Sequence, residues 1–367
     1  MLRAGIVGLP NVGKSTLFNA LTKSHKAETA NYPFCTIAPN VGVVEVPDPR
    51  LGRLAELSRS RRVIPAAIEL VDIAGLVAGA SQGEGLGNQF LAHIREVDAI
   101  IHLVRCFTGP EVHHVAGSVD PVRDIEVIHT ELALADLATL DRQREKKQRG
   151  NGHGDPRTPV LQGCIEKARA ILDRGMPLFS ERWTQEEKAL LRAFQLLTMK
   201  PTLYACNVAE EALCQGAKNP LVEAVVRFLE DRSDSALVIL SSQLEAELPT
   251  LLPEERESYL QVLGVSESGV TSLIQATYRL LGLRTFFTSG EKETRAWTIR
   301  AGDRAPQAAG VIHSDFERGF IAAECASFGE MERLGSFARL REAGRLRVEG
   351  KDYVVEDGDV IEFRFNV

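Results

Sequence analysis

Short apolar runs alternate with helical stretches over the first 130 residues of the chain. The runs AGIVG, AAIELVDIAG and DAIIHLVRCF have the length of strands, and segments such as KSTLFNALT have helical spacing. The same alternation returns later, in PTLYACN and SALVILSS. Because such repeats are typical of a parallel sheet covered by helices, the pattern predicts an α/β domain that is interrupted by an insertion and then completed.

The insertion is predicted to be helical. Apolar residues recur at steps of three or four over residues 124–149, and the breaker-rich GNGHGDPRTP follows. A second helix is predicted at about 160–172. Thr184 and Glu187 have the spacing of a capping box, which predicts a third helix that continues through Leu197. Short helices linked in this way predict an antiparallel hairpin.

A further helical stretch is predicted at about 253–281, and short alternating strands follow Gly282. The segments RAWTIRAG, RGFIAAEC and KDYVV with VIEFRFNV predict a small β-rich carboxyl-terminal domain. The predicted organisation is therefore a first part of the α/β domain, a helical hairpin, a second part of the α/β domain and the β-rich domain, at 1–128, 129–199, 200–282 and 283–367.

Composition and charge narrow the class of protein. The chain has 43 basic and 50 acidic residues and a net charge of −7, so any nucleic-acid contact requires a local basic patch. Apolar runs of about 18 residues are absent, which excludes a membrane-spanning helix, and we expect a soluble intracellular protein without a secretory signal. The six cysteines form no CxxC pair, so neither a zinc site nor a disulfide framework is expected.

A phosphate-binding loop follows the first predicted strand. Residues 8–15, GLPNVGKS, fit the pattern G-x-x-x-x-G-K-[ST], and a helix begins there. Glycines let backbone N–H groups close around phosphate oxygens, a lysine reaches the β and γ phosphates, and a hydroxyl binds Mg²⁺. The strand and helix on either side argue against a chance match. The predicted nucleotide contacts are Asn11, Val12, Gly13, Lys14, Ser15 and Thr16.

Downstream motifs indicate a switch NTPase rather than another P-loop protein. Asp72 ends a predicted strand, and Gly75 completes the pattern D-x-x-G. In switch NTPases the aspartate holds a water of the Mg²⁺ shell, and the glycine N–H can contact the γ-phosphate. Thr36 is the predicted switch-loop ligand, so the predicted metal ligands are Ser15, Thr36 and Asp72; a surface threonine in a structural turn is the alternative. The predicted catalytic set includes Lys14 and Gly75. The glycine-rich residues 79–87 predict a second mobile switch.

Five motifs occur in this order along the chain: GLPNVGKST, NYPFCT, DIAGLV, GASQGEGLGNQF and NVAE. With these motifs the chain resembles the YchF family of Obg-like ATPases over essentially its whole length. The resemblance implies a P-loop NTPase with a Ras-like G domain of the α/β class, a helical coiled-coil hairpin insertion and a carboxyl-terminal TGS domain of the β-grasp type. It also implies a cytoplasmic translation-factor-type protein that binds and hydrolyses ATP and associates with the ribosome.

The base-recognition segment departs from that of GTPases. Asn207, Val208 and Glu210 stand where GTPases have N-K-x-D, whose aspartate accepts hydrogen bonds from guanine. The longer Glu210 does not reproduce that geometry, whereas Asn207 can still bind the purine N7 edge. Losing charge-assisted hydrogen bonds of roughly 1.5–3 kcal/mol each removes the GTP preference, so we predict ATP over GTP. Ser242 is the predicted contact in the next loop; an ordinary strand-to-helix turn at NVAE is the alternative.

Hydrolysis is expected to be slow without a further group. Leu76 stands where switch GTPases such as Ras have a glutamine that orients water, and an aliphatic side chain does not bind water. His114 resembles a family position on a mobile loop, and we consider it a candidate catalytic residue; an exposed loop histidine is the alternative. Asn11 is a candidate K⁺ ligand, as in relatives that use potassium, or a structural loop contact. Cys35 lies next to Thr36 in sequence, so its oxidation can disturb the switch loop. The alternative is a thiol that only packs against its neighbours and has no redox role.

Charge also bears on the partners. A basic cluster at the end of the first insertion helix comprises Arg142, Arg144, Lys146, Lys147 and Arg149. It suits a phosphate backbone, and a solvated helix end is the alternative; the resemblance favours ribosomal RNA. Residues 283–367 carry 13 basic and 15 acidic residues, which does not indicate a strong RNA surface.

Three other functions remain open at this point. A GTPase of the same architecture is the first. A small-molecule kinase is the second, although the sequence shows neither an acceptor pocket nor an arginine-bearing lid. The third is a nucleotide-gated module that binds the ribosome or RNA and whose hydrolysis is incidental.

Overall fold

The computed structural model describes residues 2–26, 40–73, 86–108, 118–149, 158–230 and 236–366. Within them, contacts divide the chain into two compact units. The first unit takes residues 2–24, 40–42 and 69–277, with the gaps given above, and the second takes 25–26, 43–68 and 278–366.

The regular elements are numbered in chain order. The strands are β1 Arg3–Val7, β2 Val41–Val46, β3 Val63–Ile64, β4 Ala66–Asp72, β5 Ala99–Arg105, β6 Thr202–Asn207, β7 Ala236–Leu240, β8 Leu283–Ser289, β9 Thr294–Arg300, β10 Phe320–Ser327, β11 Arg347–Glu349 and β12 Asp359–Phe365. The α-helices are α1 Lys14–Ser24, α2 Pro49–Ser58, α3 Leu86–Glu96, α4 Pro121–Arg149, α5 Thr158–Leu172, α6 Gln185–Leu191, α7 Pro220–Leu229, α8 Ser242–Glu247, α9 Pro253–Val262, α10 Gly269–Leu280, α11 Ala305–Ile312, α12 Ser314–Arg318, α13 Phe328–Leu334 and α14 Phe337–Glu342.

The first unit contains the predicted parallel sheet. Strands β4, β1, β5, β6 and β7 lie side by side in that order, and every neighbouring pair is parallel. All residues of β5 and β6 are buried, as expected for strands covered on both faces. The prediction of an α/β fold with a mostly parallel sheet is confirmed. Since the strands are parallel, their carboxyl ends share one edge, where ligands bind in open α/β sheets.

The second unit has a sheet of its own. The strand order is β11-β10-β12-β8-β9-β3, with antiparallel pairs β10/β11, β10/β12 and β8/β9 and parallel pairs β12/β8 and β3/β9. Its core includes Phe286, Ile299 and Phe320 together with small residues of α11. The prediction of short strands is correct for RAWTIRAG and RGFIAAEC. The KDYVV segment differs, because Val354 forms an isolated bridge with Arg304 instead of a strand.

The two units divide the chain differently from the predicted boundaries. Residues 43–68, which the strand–helix alternation assigned to the α/β domain, share the second unit with 278–366. Val63 and Ile64 of β3 pair in parallel with Thr294 and Arg295 of β9, and helix α2 contributes an ion pair between Arg50 and Asp357. A two-residue strand leaves no periodicity that a sequence pattern can detect.

The insertion is helical, as predicted, and its helices α4 and α5 pack through a common apolar cluster. Leu140 of α4 belongs to this cluster together with Ala168 and Leu172 of α5, and all three are buried. Thr184 caps α6, with the predicted capping box to Glu187 complete in both directions. In the described part of the chain, none of the helices has both the length and the apolar character needed to cross a membrane.

The third insertion helix is shorter than predicted. Helix α6 ends at Leu191, and after a short 3₁₀ turn Gln195 adopts a left-handed backbone conformation with φ of 49°. The buried carboxylate of Asp136 on α4 accepts hydrogen bonds from the backbone N–H of Leu197 and Thr198, each at 2.8 Å. These N–H groups are therefore bound by a side chain distant in sequence, which a helical repeat does not reveal.

The helical stretch predicted at 253–281 is two helices, α9 and α10. They are separated at Gly264, whose φ of 71° lies in the left-handed region that favours glycine and ends a helix. The N–H of Gly269 at the start of α10 donates to the buried carboxylate of Glu245 at 2.7 Å.

Two histidines and a tyrosine are buried together between α4 and the first sheet. His102 of β5 and His129 of α4 are nearly inaccessible, and the His129 Nε2 atom lies 2.8 Å from the Tyr204 hydroxyl of β6. Burial lowers the pKa of His102 to about 3. The imidazole is therefore neutral in the folded chain over a pH range in which it is protonated in the unfolded chain.

We expect His102 to make the fold acid-sensitive. Below about pH 6.5 the imidazole of His102 is protonated in the unfolded chain but stays neutral in the folded chain. The unfolding free energy therefore falls by about 1.4 kcal/mol for each pH unit that the pH is lowered between about pH 6.5 and 3. Urea unfolding at pH 7 and pH 5 checks this: the parent should lose about 2 kcal/mol more than His102→Leu. His93→Gln, at an exposed site on α3, is the control and should keep the parent's profile. Parallel profiles for the parent and His102→Leu would contradict the expectation.

Candidate functional site

The phosphate-binding loop joins β1 to α1, as predicted. Strand β1 ends at Val7, and α1 begins at Lys14, with the N–H of Leu17 donating to the carbonyl of Gly13 at 2.9 Å. Asn11 has a φ of 62°, a left-handed conformation that asparagine tolerates better than most residues. The loop therefore delivers its backbone to the start of a helix, where N–H groups and the helix dipole favour an anion.

Two glycines in this loop are required by space. A Cβ on Gly8 would lie 2.8 Å from the Val12 side chain and 2.9 Å from the Leu103 carbonyl oxygen. A Cβ on Gly13 would lie 2.6 Å from Asn207 Nδ2, and the φ of 92° at Gly13 is strained for any other residue. The G-x-x-x-x-G spacing therefore reflects close approach of β5 at one glycine and of β6 at the other.

Lys14 and Asp72 form an ion pair at the carboxyl edge of the sheet. The Lys14 Nζ atom donates to Asp72 Oδ1, and both side chains are largely shielded from solvent, at 12% and 19% exposure. Asp72 is the last residue of β4, next to β1, so the parallel register brings it to the loop. The sequence predicted both residues for one site, and the structure brings them together.

The same place offers ligands for a divalent cation. The Asp72 carboxylate is fixed beside Lys14, and the next residue, Ser15, has a solvent-exposed side chain on the first turn of α1. Carboxylate and hydroxyl oxygens are the hard donors that Mg²⁺ prefers, so these residues fit such an ion. Thr16 is also exposed on this turn.

Asn207 connects the loop to the base-recognition segment. Its Nδ2 donates to the Val12 carbonyl at 2.8 Å, and its Oδ1 accepts from the Ser242 backbone N–H at 2.8 Å. The side chain is buried at the end of β6. The bond to Val12 uses one of the two Nδ2 hydrogens, so the amide can serve both as a strut and as a donor to a ligand.

Ser242 has a hydroxyl whose position fits a ligand. Its Oγ atom is buried and has no hydrogen-bond partner among the residues that the structure describes. It lies 3.3 Å from the position a Cβ on Gly13 would take. A buried polar atom without a partner is costly, and a ligand group at the loop is one way to satisfy it.

The other two residues of the base-recognition segment have different environments. The side chain of Val208 is buried in the core cluster, and its N–H donates to the Leu240 carbonyl at 2.9 Å. The predicted contact of Val208 with a nucleotide is therefore restricted to its backbone carbonyl. Glu210 is partly exposed, and its Oε1 accepts a hydrogen bond from the Tyr259 hydroxyl of α9.

Several predicted residues lie outside the described part of the chain. They are Thr36, Gly75 and His114, together with Cys35 and Leu76. Of the basic cluster, the side chains of Arg142 and Arg144 are described, and both are exposed on α4. The proposed roles of the undescribed residues remain predictions.

Sequence reasoning missed Tyr259 and Arg105. Tyr259 lies in the stretch that was predicted as one long helix, so nothing in the pattern connected it with Glu210. Arg105 ends β5 in register with Asn207, and its Nε donates to the Phe107 carbonyl at 3.1 Å. A charged residue at the end of a strand was the available indication.

Two family models match the chain. A model described as "50S ribosome-binding GTPase" matches residues 3–152. The YchF-GTPase carboxyl-terminal model, described as "Protein of unknown function", matches residues 283–366.

Full-length relatives are similar across bacteria and animals. The chain is 49% identical over 366 residues to "Ribosome-binding ATPase YchF" of Bacillus subtilis, covering 100% of both chains. It is 43% identical over 371 residues to "Obg-like ATPase 1" of Gallus gallus, covering 100% of this chain and 92% of the relative. A solved structure of the Schizosaccharomyces pombe YchF GTPase superposes with a TM-score of 0.87 at 38% identity, covering 99% of this chain and 97% of that one.

Proposed function

The chain belongs to the YchF family of ribosome-binding ATPases, and we propose that it is a switch protein that binds ATP in the loop–Asn207 site and hydrolyses it to ADP and phosphate. One observation carries the proposal. Asn207 joins the phosphate-binding loop to the Ser242 segment through two buried hydrogen bonds. These bonds fix the position of the loop that would bind the phosphates relative to the segment that would bind the purine.

The choice of ATP rests on the base-recognition segment. Its first residue, Asn207, keeps an amide hydrogen for the purine N7, as in GTPases. Its last residue, Glu210, accepts a hydrogen bond from the Tyr259 hydroxyl and is one carbon longer than the aspartate that GTPases have there. Val208 has its side chain in the core and provides no cation. These features support a site that no longer prefers guanine.

The family's nucleotide is accompanied by a divalent cation, and we propose Mg²⁺. When bound, it would neutralise phosphate charge. Ser15 and Asp72 are the described residues that would hold it, with Thr36 as the third ligand in the proposal. The ammonium group of Lys14, which lies beside Asp72, would pair with phosphate oxygens.

During hydrolysis, Lys14 and the backbone N–H of Gly75 would stabilise the negative charge on the phosphate. His114 would orient the attacking water. Intrinsic turnover is expected to be slow, because Leu76 offers no group to bind water. Asn11 is the proposed K⁺ ligand. Hydrolysis that does not depend on K⁺ would contradict this role. A His114→Ala variant should bind ATP normally and hydrolyse it more slowly; equal turnover would exclude His114 from the mechanism.

The proposed partner is the ribosome, because members of the family are named as ribosome-binding proteins. We propose that ribosomal RNA or protein is contacted by the basic end of α4, where Arg142 and Arg144 are exposed, and by the carboxyl-terminal unit. We propose the cytoplasm as its location, because relatives are named as ribosome-binding proteins.

A GTPase of the same architecture is the second candidate. It is favoured by one family model and one solved structure, both of which are described as GTPases. Direct comparison of the two nucleotides separates the candidates, as set out in the Discussion.

The metal requirement provides a test of the site. Phosphate release from ATP by the full chain should require Mg²⁺, and Ser15→Ala should raise the half-saturating Mg²⁺ concentration about tenfold, because one hard oxygen ligand is lost. Ser24→Ala, at the other end of α1, is the control and should behave as the parent. Full phosphate release in excess EDTA, or an unchanged Mg²⁺ requirement in Ser15→Ala, would contradict the assignment.

A further inference from the structure

Helix α9 is attached to the first unit along one side. Leu260, and Leu263 directly after the helix, pack against the core cluster that contains Val208. Arg256 lies on the same side, one turn before Leu260, and its Nε donates to the Leu248 carbonyl at 3.1 Å. Because no residue of α9 is fully buried, its other sides are accessible.

A second side of α9 carries a row of exposed apolar residues. Tyr259 follows the N-cap residue Leu252 by two turns and precedes Val262 by one turn, so all three lie on one side of the helix. Their exposed fractions are 66% for Leu252, 38% for Tyr259 and 83% for Val262. Single exposed apolar residues are ordinary, whereas a row on one helix side is typical of a surface that a partner covers. We call these three residues the α9 stripe.

Carboxylates lie around the α9 stripe. Glu210 accepts a hydrogen bond from the Tyr259 hydroxyl, and this bond raises the pKa of Tyr259 above its ordinary value. The negative charges of Glu247 and Glu211 raise this pKa as well, which places both carboxylates near Tyr259. Glu255 is exposed one turn before Tyr259, on the same side of α9. The stripe is therefore an apolar row bordered by four carboxylates.

The charge at the α9 stripe decides which kind of partner fits it. A ribosome presents two kinds of surface, the phosphate backbone of its RNA and the side chains of its proteins. The four carboxylates repel phosphates. A protein segment that combines lysine or arginine with aliphatic residues fits, because its cations pair with the carboxylates and its aliphatic side chains cover the stripe. The surface therefore favours basic protein over RNA.

The basic end of α4 has the opposite charge. Arg142 and Arg144 are exposed there, and their guanidinium groups suit phosphates. The two helices can therefore bind the two components of one ribosome without competing for the same groups.

We propose that the α9 stripe and its four carboxylates form a docking surface for a basic segment of a ribosomal protein that also carries aliphatic side chains. The inference rests on the proposed function, because it takes the ribosome as the partner. Burial of Leu252 and Val262 supplies most of the affinity, and the carboxylates select the partner and its orientation. Glu210 also belongs to the base-recognition segment, so the docked segment lies beside the proposed nucleotide site.

Cosedimentation of the full chain with purified ribosomes tests the role of the stripe. A Leu252→Ser, Val262→Ser double variant should bind about tenfold more weakly than the parent, because two aliphatic side chains no longer bury apolar surface. Both residues are exposed, so the variant should keep the parent's affinity for ATP, which verifies its fold. A ribosome affinity within twofold of the parent's would overturn the proposal.

Leu134→Ser is the matched control for the stripe. Leu134 is also exposed, at 40%, and it lies on α4 before the basic end of that helix. This variant should bind ribosomes like the parent. An equal loss of affinity in Leu134→Ser and in the double variant would overturn the assignment to α9.

Charge reversal separates protein from RNA at this surface. In a Glu211→Lys, Glu247→Lys variant, a basic protein segment is repelled, and the affinity for ribosomes should fall about tenfold. RNA at the stripe would be bound more tightly after the same change, so stronger or unchanged binding would overturn the proposal. Glu223→Lys with Glu230→Lys, on α7 and directly after it, changes the net charge equally and should leave the affinity within twofold of the parent's.

A photo-crosslinker identifies the component that contacts the stripe. Val262 is replaced by p-benzoylphenylalanine, and the full chain is irradiated on purified ribosomes. The expected adduct resists ribonuclease and maps by peptide mass to a lysine- or arginine-rich segment of a ribosomal protein. An adduct with RNA, with a second copy of this chain or with an acidic segment would overturn the proposal, as would the absence of an adduct.

The outcome is separable from that of the proposed function. A parent chain that does not sediment with ribosomes would contradict the proposed partner and this surface together. A parent that sediments, with stripe and charge variants that sediment equally, would contradict only the docking surface. ATP affinity of the stripe variant is measured on the same material, so nucleotide binding is tested independently of docking.

Discussion

Replacing Gly13 with alanine is expected to lower ATP affinity at least 100-fold. The new Cβ would lie 2.6 Å from Asn207 Nδ2, and it would occupy a backbone conformation, φ of 92°, that alanine avoids. Backbone strain of about 1–3 kcal/mol and displacement of the Asn207 strut, whose buried hydrogen bonds are each worth about 1–3 kcal/mol, together exceed the roughly 2.7 kcal/mol that corresponds to 100-fold.

Calorimetry with Mg²⁺ and ATP measures the effect, and circular dichroism verifies the fold. Gly163→Ala is the matched control, because a Cβ at this position of α5 meets open space. It should bind ATP like the parent. A Gly13→Ala chain whose affinity lies within threefold of the parent's would show that the loop does not hold the nucleotide in the way described.

Replacing Lys14 with alanine is expected to reduce ATP turnover about 100- to 1,000-fold. The substitution removes a preorganised cation where phosphate charge develops, an effect of about 2.7–4 kcal/mol in comparable sites. It also leaves the largely shielded carboxylate of Asp72 without the ammonium group that it contacts. Phosphate release under saturating ATP measures the loss.

Lys23→Ala, an exposed position in the last turn of α1, is the control and should retain full turnover. Turnover above half of the parent's in Lys14→Ala would contradict the catalytic assignment. Cosedimentation with ribosomes adds a second readout: the variant should lose any difference between ATP and ADP conditions. If Lys14→Ala associates as the parent does under every nucleotide condition, the protein is a binding module whose hydrolysis is incidental.

The sequence allowed the phosphate side of the site to be predicted because the relevant chemistry is local. The loop, its flanking strand and its helix are contiguous, and Asp72 ends a strand with a clear apolar pattern. Parallel pairing then brings β4 beside β1 without further information. The same argument placed Asn207 at the edge of the sheet, although its role as a strut depends on contacts to Val12 and Ser242 that no spacing encodes.

Features that depend on tertiary contacts were not predictable. The Asp136 carboxylate binds the N–H groups of Leu197 and Thr198, 61 and 62 residues away along the chain, where the repeat suggested a continuing helix. Gly264 divides a stretch whose composition is helical throughout. The short strand β3 joins the second unit through two residue pairs. Such contacts override local preference without leaving a local pattern.

The central claim is that the site holds a triphosphate whose purine is not selected as guanine. Titration calorimetry of the full chain with Mg²⁺ and either ATP or GTP tests it most directly. The predicted result is one bound ATP with an affinity about tenfold or more above that for GTP. An absence of ATP binding, or GTP binding that is tighter by orders of magnitude, would contradict it.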